Sequence, residues 1–336
     1  MQGFPIEVVF RDAAGEHRAA WLSPGAAPPA RVGAAGDQTR AAEAVARARR
    51  GEGLLYHGDY HGARQLLAAM GRKLVPGQPH PAAPALARAG DLAARFRAER
   101  RAKLREHEIL SRLLVPMTEG WRIPLRRAPD VARACEEALG TPPLGQGLLP
   151  LRDLLGLIGA HEWRHRGVPV PALGAKVFPH YGVFAPVRGE YVGLVARAAE
   201  RWPVAGRVAF DVGTGTGVLA LVLARAGARV VATDVEPRAV ACARENAERL
   251  GLADRVEVRA SDLFPPGAAD LVVSNPPWVP ETPHTVLDRA VYDEGGALVA
   301  RLLAGLDAHV RPGGEAWIVI SDLAERLGLR APGHLA

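Results

Sequence analysis

A glycine-rich loop preceded by an acid is the first feature of this sequence that points to chemistry. Asp211 stands two residues before the run Gly213-Thr214-Gly215-Thr216-Gly217. Glycine lets the backbone turn sharply and approach a ligand closely. The dinucleotide fingerprint G-x-G-x-x-G requires a glycine where Val218 stands. An acid beside the loop attracts a cation and repels a pyrophosphate. The loop therefore favours the cationic amino-acid tail of S-adenosylmethionine (SAM) over NAD, with Asp211, Gly213, Thr214, Gly215 and Gly217 as cofactor-binding residues.

Two further acids end the next two strand-like segments. Asp234 follows the second segment, and a carboxylate there can accept hydrogen bonds from both hydroxyls of a ribose. Asp262 follows the third, where it can accept a hydrogen bond from an adenine amino group while Leu263 or Phe264 covers the ring. Ligands of open α/β sheets bind at the carboxyl ends of the strands. Three acids at three successive strand ends therefore predict an adenosine site.

The fourth strand-like segment continues into Asn275-Pro276-Pro277-Trp278. The side-chain oxygen of Asn275 and the backbone carbonyl of Pro276 can each accept one N–H of a planar amino group. Since prolines fix φ, the two acceptors are preorganised. Trp278 can stack on the planar substrate. Held in this way, the nitrogen directs its electron density at the methyl group of SAM for in-line transfer. We predict these four residues to be catalytic.

The glycine loop followed by Asn-Pro-Pro-Trp resembles the class I SAM-dependent methyltransferases that modify planar nitrogens. These include the release-factor glutamine, small-domain rRNA guanine-N2 and DNA adenine-N6 enzymes. The segment Phe184-Ala185-Pro186-Val187-Arg188-Gly189-Glu190 is similar to a Pro/Arg/Glu segment of the glutamine enzymes. The segment Tyr292-Asp293-Glu294-Gly295-Gly296 is similar to their double-glycine segment. The resemblance covers residues 176–322 and implies that Arg188 also binds the cofactor.

From Arg207 onward, short β-branched strands alternate with Ala/Leu-rich helices, which indicates βαβ units and a parallel sheet. The predicted fold is α/β, a Rossmann-like class I methyltransferase sheet. We expect strands at 207–212, 229–233, 256–260, 271–274 and 316–321, the last preceded by a turn at Pro312-Gly313-Gly314. The related fold has seven strands. Only 14 residues follow Asp322, so we expect the final strands to be missing.

The first half of the chain has a helical pattern. After a short strand at 6–10, we expect helices at 37–50, at 54–74 and over about thirty residues ending near Val115, then at 129–139 and 151–163. We predict residues 1–166 to be a mainly α-helical accessory domain that recognises the substrate. Residues 167–336 are the predicted SAM-binding methyltransferase domain, with Gly167–Pro171 as the linker.

The charge of the chain is unevenly distributed. Residues 1–170 hold 25 Lys and Arg against 17 Asp and Glu, whereas the remainder holds 17 against 19. A basic accessory half can guide an anionic partner such as RNA, although Arg-rich helices are also merely well solvated. The acceptor is therefore a protein glutamine amide, supported by the two segments that resemble the glutamine enzymes, or else a nucleic-acid base.

Other sequence features exclude several classes of protein. No uncharged apolar stretch reaches the ~18 residues of a membrane span, and the N-terminus lacks a signal-peptide pattern, so we expect a cytoplasmic enzyme. The two cysteines, Cys135 and Cys242, predict no disulfide framework. His161-Glu162-Trp163-Arg164-His165 matches the zinc pattern H-E-x-x-H, but glycine and prolines end the predicted helix at once. We expect no metal site.

Overall fold

A computed structural model describes residues 6–12, 15–74, 92–187, 189–285, 287–331 and 333. The chain divides into two compact units, Met1–His161 and Glu162–Ala336. The division falls five residues before the domain boundary expected from the sequence. Within the described ranges, no helix is both long and apolar enough to cross a membrane.

The first unit is built around a mixed β-sheet. Its six described strands lie in the order β1-β2-β6-β5-β4-β3, with β3, β4 and β5 parallel to one another. The strands are β1 (Glu7–Asp12), β2 (Gly15–Trp21), β3 (Arg31–Gly36), β4 (Glu52–His57), β5 (Leu113–Met117) and β6 (Gly147–Pro150). The helices are α1 (Ala41–Arg49), α2 (Tyr60–Leu74), α3 (Leu92–Leu110), α4 (Ala132–Leu139) and α5 (Leu151–Arg166), the last of which contains the division between the units.

The prediction that residues 1–166 are mainly α-helical is wrong. Strand β4 overlaps the first four residues of the segment expected to be one helix from Leu54 to Leu74, and β5 lies where the long helix was expected to end. All five residues of β5 are buried, as are the four central residues of β4. A strand buried on both faces is a continuous apolar run, which periodicity alone does not distinguish from a buried helix segment. Part of the expected long helix falls at 75–91, outside the described residues.

The second unit contains the predicted α/β fold. Its described residues form a five-stranded, all-parallel sheet in the order β11-β10-β9-β12-β13. The strands are β9 (Val208–Val212), β10 (Arg229–Asp234), β11 (Val256–Ala260), β12 (Ala269–Ser274) and β13 (Val310–Ile318). The helices are α6 (Glu190–Arg201), α7 (Val218–Arg225), α8 (Pro237–Arg249), α9 (Ala297–His309) and α10 (Leu323–Arg326).

Two local predictions in this unit need correction. The expected linker Gly167–Pro171 contains strand β7 (Val168–Val170), which pairs with β8 (Ala175–Val177) and buries both of its valines. Strand β13 begins six residues before the predicted start, because the chain does not turn ahead of the strand at Pro312-Gly313-Gly314. Gly313 instead sits inside it at φ 76°, beside a shift of register against β12. Both expectations assumed that Pro and Gly end a strand, whereas the structure accommodates them within short or irregular strands.

Packing places the glycine loop at one edge of the sheet. Helix α7 is apolar on all sides, and its residues from Val218 to Ala224 are buried. It packs with β9 and β10 in one core cluster that includes Ala209, Val230 and Ala232. The loop between β9 and α7 is thus fixed at the carboxyl end of the central strand, next to the ends of β10 and β12.

Candidate functional site

A cavity of about 360 Å³ opens at the carboxyl ends of β9, β10, β11 and β12. It brings together most of the residues singled out in the sequence. Those that line it are Asp211, Gly213, Thr214, Gly215, Asp234, Asp262, Leu263, Asn275, Pro276 and Pro277. Arg188 lies outside the described residues.

Two of the predicted site residues, Gly217 and Trp278, are not among the described residues that line this cavity. Gly217 caps α7 at φ 81°, and a Cβ there would meet the Cβ of Ala243 in α8 at 3.1 Å. Its role is to end the loop and let α7 approach α8. The backbone carbonyl of Trp278 accepts a hydrogen bond from Arg330 Nη2 at 3.0 Å. Stacking of Trp278 on a substrate therefore stays a prediction, while Pro277 lines the wall.

Asp211 is the most deeply buried acid of the cavity wall, at 1% exposure. Its Oδ2 accepts hydrogen bonds from Thr214 Oγ1 at 2.6 Å and from the backbone N–H of Ala220 at 3.0 Å. Burial raises the pKa of this carboxyl to about 6, even though both hydrogen bonds lower it. The two bonds tie the loop to the first turn of α7. A cation in the cavity would relieve the cost of the buried charge.

Tyr191 is a cavity residue that the sequence analysis missed. Burial raises its pKa, and the nearby Asp211 carboxylate adds to that shift. The tyrosine stays protonated and presents a hydroxyl close to the acid. Its position next to Glu190, in the segment that resembles the glutamine enzymes, was the available signal.

Asp234 fastens the glycine loop from the second strand. Its Oδ2 accepts the backbone N–H of Gly215 at 3.0 Å, and its Oδ1 accepts that of Glu236 at 2.9 Å. Burial raises the pKa of Asp234. Gly213 and Gly215 have φ of 75° and 56°, in the left-handed region that favours glycine. The alternating glycines thus allow the loop to turn so that the N–H of Gly215 reaches the carboxylate of Asp234. Each oxygen of that carboxylate retains a lone pair for a ligand.

The third strand end places its acid less deeply. Asp262 Oδ2 pairs with Arg301 Nη2 at 2.7 Å, and both side chains are more than half exposed. Leu263 lines the cavity at φ 67°, a conformation that costs free energy in a residue with a Cβ. Its carbonyl accepts Thr233 Oγ1 at 2.6 Å, which holds it there. Of the two residues expected to cover a ring, Leu263 lines the cavity and Phe264 stacks on His309.

The Asn-Pro-Pro motif is held by the double-glycine segment. The backbone N–H of Val279 donates to Val291 O at 3.2 Å, and that of Asp293 donates to Val279 O at 2.8 Å. The buried Asp293 carboxylate accepts the N–H groups of Leu298 and Val299 at 2.9 and 3.0 Å, at the start of α9. The chain just after the motif is therefore clamped to a helix that packs on the sheet.

The opposite wall is positioned by a buried asparagine on α8 that the sequence analysis did not identify. Asn246 is 1% exposed. Its Oδ1 accepts the backbone N–H of Phe178 at 2.8 Å, and its Nδ2 donates to Thr216 O at 3.0 Å. The first bond holds the segment that leads to the lining residues Gly182–Phe184, and the second holds the glycine loop. Its polar side chain in a helix that faces the core was the signal.

A charged cluster next to Asn246 fastens the same wall. Glu245 Oε2 contacts His180 Nε2 at 2.6 Å and Arg164 Nη2 at 3.0 Å, and its other oxygen pairs with Arg249. Burial raises the pKa of Glu245. The hydrogen bonds from His180 and Arg249 and the charge of Arg164 together lower it by more than burial raises it, so the net shift is downward. Glu245 is therefore a carboxylate at neutral pH that holds His180 next to the cavity wall.

The H-E-x-x-H residues lie on α5, and none of them is among the described lining residues of the cavity. His161 Nδ1 contacts Glu137 Oε2 at 2.9 Å. Glu162 pairs with Arg166 one helical turn further on, at 3.6 Å. The glutamate that would act as the base in a zinc protease is thus engaged by an arginine.

Comparisons with known proteins relate the second half of the chain to methyltransferases. Residues 194–326 match the family model of the methyltransferase small domain. A release factor glutamine methyltransferase of Cereibacter sphaeroides is 40% identical over 144 residues, covering 38% of this chain and 50% of the relative. A ribosomal protein L11 methyltransferase of Pelotomaculum thermopropionicum is 48% identical over 85 residues, covering 24% and 28%. A crystallised ribosomal protein L11 methylase of Lactobacillus delbrueckii is 25% identical, covers 43% of this chain and 67% of that chain, and superposes with a TM-score of 0.32.

The chain spans about half the length of the first curated relative and less than two thirds of the others. The resemblance inferred from the glycine loop and the Asn-Pro-Pro-Trp motif is confirmed, as is the predicted α/β fold.

Proposed function

We propose that this chain, whose residues 194–326 match the family model of the methyltransferase small domain, transfers a methyl group from SAM to a planar amino nitrogen. One observation carries the proposal: a single cavity is lined both by the acids Asp211 and Asp234 and by the amide acceptor Asn275. The first two suit the cofactor, and the third suits the substrate nitrogen.

The residues present fit SAM. The carboxyl of Asp211, buried between two neutral donors, is suited to the ammonium of the amino-acid tail. Asp234 offers lone pairs to the ribose hydroxyls, and Leu263 offers an apolar surface to the adenine. When bound, SAM supplies a methyl group on a positively charged sulfur.

The contribution of the protein to transfer is alignment. Asn275 Oδ1 and the carbonyl of Pro276 accept the two N–H groups of the acceptor nitrogen, so that its lone pair points at the methyl group. The clamp between Val279 and Asp293 restrains the backbone three residues after Pro276, which limits how far the acceptors can move. Orientation of two reactants in this way replaces the need for a strong base.

The acceptor that we propose is the side-chain amide of a protein glutamine. Support comes from relatives that are 34–40% identical and carry the name release factor glutamine methyltransferase. The clamped double-glycine segment, which led to this expectation, lies beside the motif. An acceptor of this kind belongs to the cytoplasmic translation machinery, which would place the enzyme there.

A nucleic-acid base is the second candidate. Helix α3 favours it, because it displays a run of basic side chains on a poorly buried surface: Arg95, Arg97, Arg101, Lys103 and Arg105 are all exposed. A row of cations of this kind suits a phosphate backbone. We propose residues 1–166 as the part that recognises the substrate in either case.

Transfer of labelled methyl from SAM into a lysate, followed by separate digestion with protease and RNase, distinguishes the two acceptors. We expect the label to be lost with protease. In a parallel assay Asn275→Ala should lower transfer by about a thousandfold, because one of two preorganised acceptors is gone, while SAM affinity stays within about threefold of wild type. Undiminished transfer by this variant would refute the assigned role of Asn275.

A further inference from the structure

A second cavity, of about 500 Å³, lies where the chain leaves the Asn-Pro-Pro-Trp motif. The first cavity is lined by Asn275, Pro276 and Pro277, and the second by Pro280. The chain thus passes from one cavity to the other within six residues. We call the second cavity the acceptor groove; its lining also includes Gly295, Gly296, Val299, Ala300, Leu303 and Arg330.

A hydrogen bond couples the groove to the motif. Arg330, a lining residue of the groove, donates from Nη2 to the backbone carbonyl of Trp278 at 3.0 Å. Arg330 is itself placed by the turn after α10, where its backbone N–H reaches Ala324 O at 3.3 Å. The chain at the end of the motif is therefore held at two neighbouring residues, at Trp278 by Arg330 and at Val279 by Asp293.

The chemistry of the groove is that of an apolar contact. Helix α9 supplies its floor with Val299, which is buried, and with Ala300 and Leu303, which are exposed. Gly295 and Gly296 add backbone without side chains, and a Cβ at either position would meet nothing within 4 Å. Arg330 is the one charged residue among the described lining residues, and its guanidinium already serves Trp278.

We propose that the groove binds an apolar side chain of the protein acceptor, from the polypeptide segment that flanks the methylated amide. This rests on the proposed function. The chain that carries Asn275 reaches the groove at Pro280, so an acceptor that places its amide at Asn275 has this apolar surface within reach of its flanking residues. An apolar floor with a single engaged cation suits a polypeptide, whereas a phosphate backbone calls for several free cations. Burial of one aliphatic side chain there would contribute roughly a tenfold increase in affinity.

Two variants test the groove without touching either the motif or the cofactor residues. Leu303→Asp places a charge on the floor at a position that is 36% exposed, and Ala300→Trp fills the groove without a charge. Leu194→Asp is the matched control, because Leu194 is 55% exposed on α6 and lines neither cavity. Purified, unmethylated release factor serves as the acceptor, and initial rates are measured against its concentration at saturating SAM.

We expect both groove variants to raise KM for the release factor about tenfold, with kcat and SAM affinity within about twofold of wild type and the control unchanged. An unchanged KM in both variants, with the wild type active on the release factor, would overturn the groove alone. A wild type that labels RNA and leaves the release factor unlabelled would overturn the proposed acceptor and, with it, the polypeptide occupant. Equal loss in Leu194→Asp would assign the effect to general destabilisation and also overturn the groove.

Discussion

The titration of Asp211 gives the sharpest test of how the cofactor is held. Its carboxyl is 1% exposed and has a pKa raised to about 6 by burial. If the ionised form pairs with the ammonium of SAM, binding stabilises the charge and lowers the pKa in the complex. Affinity should then fall as the pH drops below 6, because the protein must lose a proton before it binds.

The size of the effect follows from the pKa. When only the ionised form binds, the apparent Kd rises by the factor 1 + 10^(pKa − pH), which for a pKa of about 6 is close to 1 at pH 7 and about 11 at pH 5. The predicted loss is therefore about tenfold between pH 7 and pH 5, or about 1.4 kcal/mol. Measurements should stay at or below pH 7, since an α-amino group loses its own proton near pH 7.7.

Calorimetric titration of the protein with SAM, and in parallel with S-adenosylhomocysteine, measures this dependence. The second ligand keeps the ammonium but lacks the charge on sulfur, so an equal slope for both ligands assigns the effect to the amino-acid tail. Asp211→Asn should bind more weakly at pH 7 and lose most of the slope. Since burial also raises the pKa of Asp234, the titration is repeated in Asp234→Asn to separate the two carboxyls. A flat profile in the wild type, or the same slope in Asp211→Asn, would refute the reasoning.

Three further outcomes are expected. Asp234→Ala should weaken SAM binding more than tenfold, about 1.4 kcal/mol, through loss of the ribose acceptor and of the bond to Gly215; equal affinity in calorimetry would remove it from that role. Asp211→Asn should raise the free energy of unfolding at pH 7 by up to about 3 kcal/mol, because the folded pKa of about 6 exceeds the usual 3.8. Burying the protonated carboxyl costs much less than burying the carboxylate, so the gain should shrink below pH 6 and vanish below pH 4, as measured by urea titrations. Asn246→Leu should lower the melting temperature by several degrees and SAM affinity about tenfold, because Thr216 and Phe178 lose their shared anchor; a folded variant with wild-type affinity would contradict that positioning role.

The elements of the second unit were predicted from the sequence better than those of the first, for a physical reason. Strands β9 to β12 are short apolar segments bounded by Gly, Asp or Asn, and all four begin and end within two residues of the expected positions. Strands β4 and β5 are as apolar, but only two residues join each of them to a helix, and Leu54–Tyr56 and Leu113–Val115 are buried. Because so short a connection interrupts the apolar pattern very little, that pattern favours one long helix.

Within the site, residue type predicted the lining better than it predicted the anchors. The acids and the Asn-Pro-Pro run could be found because their chemistry suits the ligand directly. Asn246 and Asp293 act through other residues, by hydrogen bonds to backbone groups that are distant in the sequence or belong to the next helix. Such partners depend on tertiary structure, so spacing along the chain does not reveal them.

An acid at the end of a parallel strand is also a pattern of the first unit. Asp37 directly follows β3, and Asp59 lies two residues after β4. Asp37 accepts the Tyr56 hydroxyl at 2.7 Å and pairs with Arg126, while Asp59 pairs with Arg127 at 2.6 Å. In both cases these hydrogen bonds hold the pKa of the carboxyl below its usual value.

The direction of the pKa shift therefore separates two uses of the same motif. The charges of Asp37 and Asp59 are compensated by the side chains of their own unit, so these acids fasten loops and have little charge left to offer a ligand. Asp211 is buried and Asp234 is half-buried, both have neutral hydrogen-bond donors, and burial raises both pKa values. A buried carboxylate of the second kind gains most from a cation that arrives from outside. The sequence places acids at strand ends in both units, and only the folded surroundings determine that the second unit is the one prepared for a positively charged cofactor.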